Sequence, residues 1–145
     1  MKISLYLLVS LFACISFAND LSGHWLGQGR QFILGSNSEV LIDLELSFTE
    51  SSLNITECWE TASQPKDAEC LESQFELEGR ETLLSNGNKV GDIFPGKIII
   101  FQSNTQVSEQ MLFINRKDGL YYRYTYSNLD GESQWREGIL KRGSP

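Results

Sequence analysis

Apolar and polar residues alternate along much of this chain. The clearest run is Val40 to Phe48. Val40, Ile42, Leu44, Leu46 and Phe48 fall on one face, Asp43, Glu45 and Ser47 on the other, with Leu41 the exception. A period of two is the signature of a β-strand with one face buried and one in water. A second strand runs from Leu53 to about Glu60. Leu53, Ile55 and Trp59 share a face with Glu57, while Asn54, Thr56 and Cys58 take the other. A polar loop, Thr61 to Ala68 with Pro65 inside it, leads to a third stretch. There Leu71, Ser73, Phe75 and Leu77 alternate with glutamates and Gln74, and Cys70 again falls on the polar side.

The remainder continues in the same way. Turn signals stand at Ser85–Asn88, Pro95–Gly96, Asp118–Gly119 and Asn128–Gly131. Between them lie strands over Lys89–Phe94, Lys97–Phe101, Val107–Asn115, Leu120–Ser127 and Glu132–Arg142, with a first strand within Ser22–Leu34. Ile98 to Phe101 is apolar on both faces, which implies cover on both. The pattern predicts an all-β domain of about eight to ten short strands joined by short turns, so neighbours are antiparallel. Closure into an up-and-down barrel removes exposed edges, and a two-sheet sandwich is the competing arrangement.

The first residues depart from this alternation. Lys2 precedes an apolar run from Ile3 to Ala13, and Ser16-Phe17-Ala18 supplies small residues where a signal peptidase cleaves. Residues 1–18 therefore read as a secretion signal, followed by one domain over 19–145 and a secreted or periplasmic destination. The run falls short of the roughly 20 apolar residues a spanning helix needs. Leu11-Phe12-Ala13-Cys14 also resembles a lipobox, which would anchor the protein to a membrane through Cys14. Past residue 18 two cysteines remain, and in an exported chain an even pair predicts a Cys58–Cys70 disulfide. Both lie on polar faces, which places the bridge outside the sheet. The net charge is −7, with the acidic residues scattered. That balance argues against a nucleic-acid partner. His24 is the single histidine, so a His-built metal site or catalytic triad has little to draw on.

Leu21 to Gly29 contains Gly23-x-Trp25-x-Gly27-x-Gly29. Gly-x-Trp before a first strand resembles the opening of lipocalins and their calycin relatives. The longer form looks like the start of nitrobindin-type barrels, and avidins begin similarly. The resemblance covers about nine residues. It implies that Trp25 plugs one end of a barrel and that a basic residue of the last strand, Arg136, Lys141 or Arg142, packs over it. Nitrobindin-type barrels hold haem through a histidine far down the chain. No histidine follows His24, so haem is not implied and no cofactor is expected.

Candidate functional residues follow from the strand faces. Tyr122, Tyr124 and Tyr126 share a face and would form either a pocket wall or an aromatic ladder that fixes register. Trp135 on the next strand is expected to complete either arrangement. Glu57 lies among apolar neighbours. It is either an inward carboxylate that anchors a ligand or a basic residue, or it is returned to solvent by a bulge, the simpler reading. Trp25, Phe48, Glu57, Trp59, Tyr122, Tyr124, Tyr126 and Trp135 are thus the expected lining of a site for a small apolar or amphipathic ligand. Familiar catalytic motifs are missing, so the expectation is a noncatalytic binding protein. The alternatives are an interaction or inhibitor protein acting through its outer face, and a hydrolase or isomerase in which two of Glu57, Asp92, Glu109 and Glu137 converge. Oligomeric state is left open.

Overall fold

The computed structural model describes residues 21–61 and 68–143. The expected signal segment with its cleavage point, and Cys14, lie outside the described residues. Ten strands are present: β1 (Gly23–Ile33), β2 (Ser36–Phe48), β3 (Ser52–Thr61), β4 (Glu69–Glu78), β5 (Thr82–Ser85), β6 (Asn88–Phe94), β7 (Lys97–Ser103), β8 (Val107–Arg116), β9 (Gly119–Asn128) and β10 (Ser133–Arg142). Each pairs antiparallel with the next, and β10 returns to β1, so the sheet closes. This is an all-β, up-and-down, calycin-like barrel, and the sandwich alternative is excluded. Among the described residues no helix is long and apolar enough to cross a membrane.

The turns follow local chemistry. Leu34-Gly35 and Asn86-Gly87 take positive φ at both positions, 50° and 82° in the first and 52° and 76° in the second. That is the backbone twist two-residue hairpins require. The short strand β5 was not marked by the sequence pattern. It has only four residues, and a register shift between Leu83 and Leu84 interrupts its ladder with β6. A four-residue strand with a bulge has no alternation long enough to read.

Between alternate strands the barrel has two ends. The lower end holds the start of β1, the end of β10 and the turns β2–β3, β4–β5, β6–β7 and β8–β9. The upper end holds the other turns and the β3–β4 connection. The lower and middle interior is apolar. Leu44, Leu46, Leu53, Ile55, Phe75, Leu83, Ile98, Phe113, Leu120 and Leu140 are all buried there. At about 25 cal/mol per Å² of apolar surface removed from water, each such side chain contributes roughly 1.5–3 kcal/mol.

Trp25 closes the lower end. Its indole N–H donates to the Leu21 carbonyl at 3.1 Å, and the Arg142 guanidinium lies 4.6 Å from its ring centre. Arg142 also donates to the Ser22 carbonyl. Of the three basic candidates, Arg142 is therefore the one over Trp25. Lys141 reaches the Asp118 carbonyl instead, and Arg136 points into the barrel.

Candidate functional site

The upper interior is built differently from the core beneath it. On β3 the inward positions are Ile55, Glu57 and Trp59, and on β10 they are Arg136, Gly138 and Leu140. Glu57 and Arg136 are almost fully buried and meet inside the barrel. Arg136 donates through Nε to Glu57 Oε1 at 2.9 Å and through Nη2 to Oε2 at 3.1 Å. A forked guanidinium–carboxylate pair of this kind satisfies both charges in one plane. Arg136 also lies 3.6 Å from the Trp59 ring centre and 4.6 Å from that of Tyr124. Burial works against its charge, but the Glu57 hydrogen bonds and charge outweigh that and raise its pKa. Glu57 therefore does not bulge back to solvent. The sequence offered no way to find its partner, because the two residues are 79 positions apart.

The tyrosines divide by depth. Tyr122 is fully buried and packs on Phe113 with ring centres 5.3 Å apart. Among the described residues no partner stands at hydrogen-bond distance from its hydroxyl, with the Glu57 carboxylate the nearby polar group. Burial first, and then the nearby Glu57 carboxylate, push this phenol well above the usual 10. Tyr124 donates to Glu109 Oε1 at 2.9 Å. Burial, then that bond, raise its pKa as well. Tyr126 is half-buried on the same face, opposite Glu109 across the β8–β9 ladder. Gln31, which no sequence pattern marks, faces inward beside Arg136, 5% exposed, and its amide oxygen has no partner among the described residues. A glutamine amid a Gly-rich strand gave no alternation signal.

Not every expected residue joins this group. Trp25 is the lower plug, and Phe48, at the lower end of β2, packs against the apolar core. Trp135 is a correction. It pairs with Thr125 and Phe32, so it sits on the outer face, and it stacks on Phe32 at 6.2 Å with the rings nearly parallel. Tyr124 and Tyr126 sit one position to either side of Thr125, and a shift of one along a strand changes the face. Of the four carboxylates considered for catalysis, Glu57 and Glu109 enter the interior. They are linked through Arg136 and Tyr124. Asp92 lies outside, bound to Lys89, and Glu137 lies outside with Tyr121 and Arg123.

The bridge lies where the sequence placed it. Cys58 and Cys70 are directly opposite on β3 and β4, outside the barrel, and are joined. Such a bridge fits an oxidising compartment. Cys58 lies between Glu57 and Trp59, so it fastens the strand at the point from which both reach Arg136. On the outer wall, a separate groove of about 400 Å³ runs over Arg30, Glu39, Arg116, Tyr121, Glu137 and Ile139.

No protein-family model and no curated protein sequence matches the chain. Among solved structures, the fold is similar to the S-type phycobiliprotein lyase CPES from Guillardia theta. The TM-score is 0.65 at 10% identity, over 90% of this chain and 93% of that one. The likeness establishes the barrel. It also corrects the expectation that this chain is not an enzyme. That expectation rested on missing motifs, and the same barrel serves a protein named as a lyase, so missing motifs do not exclude catalysis in this fold.

Proposed function

We propose that this exported barrel binds a small amphipathic molecule in its upper interior, against Trp59, Tyr124 and Tyr126 and above the Glu57–Arg136 pair. The observation that carries this reading is the polar, aromatic group at one end of an otherwise apolar barrel. A structural core gains little from two buried charges, since an apolar replacement is often as stable. Sites for small ligands instead combine aromatic walls with a few fixed polar groups. The barrel shared with a protein named as a phycobiliprotein lyase supports the same reading. A second reading, catalysis on the bound molecule, is favoured by one feature: Glu57 and Glu109 both face the interior and are joined through Arg136 and Tyr124.

The test uses the neutral fluorophore N-phenyl-1-naphthylamine. Its emission is expected to rise and shift to the blue on binding. Tyr126→Ala should weaken binding about fivefold or more, since a good aromatic contact is worth roughly 1 kcal/mol. Trp135→Ala, on the outer face, should leave it unchanged. The reverse pattern would place the site on the outer wall and overturn the proposal.

A further inference from the structure

We propose that the ligand of the upper interior is a cation, a protonated amine or an equivalent strong N–H donor, received by Glu109 at the mouth and by Gln31 deeper in. The proposal rests on the interior-binding reading above and adds the ligand's charge.

Glu57 is fully matched by Arg136. Glu109 is not. It accepts one bond, from Tyr124, and among the described residues no lysine, arginine or histidine forms a salt bridge with it. It is half-buried, with Tyr126 across from it on the neighbouring strand. Glu69 sits at the rim on the face shared with Trp59. A carboxylate flanked by phenol rings is the usual means of holding an ammonium group, because the ring faces and the carboxylate both favour positive charge.

The second observation is independent. The Gln31 amide oxygen is buried, and among the described residues no donor reaches it. A buried acceptor left alone is costly and rare in folded proteins. Gln31 stands in register with Arg136, which stands in register with Tyr124. Two acceptors with capacity to spare therefore face the same interior: the Glu109 carboxylate, which takes one bond from Tyr124 and pairs with no cation among the described residues, and the neutral Gln31 amide oxygen. An anion would meet repulsion from Glu109 and gain little from Arg136, whose charge is already taken.

The experiment displaces bound N-phenyl-1-naphthylamine with three chains of equal length: dodecylammonium, dodecanol and dodecanoate. Dodecylammonium is expected to compete about tenfold better than dodecanoate, the scale of one charge-assisted bond. Glu109→Gln keeps an acceptor for Tyr124, so the fold is retained while the charge is lost. It should remove most of that preference, and Glu137→Gln on the outer wall should not. Equal competition by all three chains, or a preference that survives in Glu109→Gln, would overturn the cation inference while leaving interior binding intact. Loss of preference in Glu137→Gln would move the site to the outer groove. Failure of the fluorophore to bind would overturn the interior reading itself.

Discussion

Arg136 is the residue on which the upper interior depends. Its fork holds Glu57, and its plane lies against Trp59 and Tyr124. Arg136→Met should destabilise the domain by roughly 3–5 kcal/mol, because it leaves the Glu57 charge buried and alone. The double variant Glu57→Leu/Arg136→Met should recover most of that loss, as read by urea denaturation. Tyr122 gives a contrast. Its hydroxyl is buried and, among the described residues, has no partner at hydrogen-bond distance, so Tyr122→Phe should be neutral or stabilise by about 1 kcal/mol. The raised phenols have a pH consequence. Tyr121, Tyr122 and Tyr124 hold their protons more tightly in the folded barrel than when unfolded. That contribution is fully present below the usual phenol value near 10 and is lost as pH climbs through the higher folded values. Absorbance at 295 nm should show these tyrosines ionising late, with unfolding setting in above about pH 10.

At the scale of strands, two features control the wall around the site. The bridge between Cys58 and Cys70 closes a separation of 12 residues. Its loss through Cys58→Ala/Cys70→Ala should cost about 3 kcal/mol in the chain-entropy picture, measured by denaturation with and without reductant. Gly29 is the other. A Cβ there would stand 2.5 Å from the Glu137 carbonyl oxygen and 2.6 Å from Ile42 Cδ1. Backbone cannot yield as a side chain can, so Gly29→Ala should cost about 1–3 kcal/mol. Most strands were legible in the sequence because long β2, β3 and β9 alternate over most of their length, Leu41 and Glu57 being the exceptions in β2 and β3. The outward cysteines were legible for the same reason. Alternation also gave the shared face of Tyr122, Tyr124 and Tyr126. It could not give which face Trp135 shares with them, because that depends on the register across the β9–β10 ladder. Nor could it give the Glu57–Arg136 pair, which only barrel closure brings together.

At the scale of the whole molecule, closure explains why a short chain can hold charge inside. A ten-strand barrel has no free edge. Its lower half is apolar, Trp25 and Arg142 seal the base, and the upper half sets polar and aromatic side chains among aliphatic ones such as Val40 and Met111. The fold is shared with a protein named as a lyase, so missing sequence motifs do not exclude catalysis in this architecture. The three tryptophans report on three places: Trp25 at the sealed base, Trp59 against Arg136, and Trp135 on the outer wall. Their indole N–H signals, followed by ¹⁵N NMR during titration with dodecylammonium, test the central claim directly. The Trp59 signal should move on saturation while those of Trp25 and Trp135 stay in place. Movement of Trp135 with Trp59 unmoved, or no movement of any of the three at saturating ligand, would contradict a binding site inside the barrel.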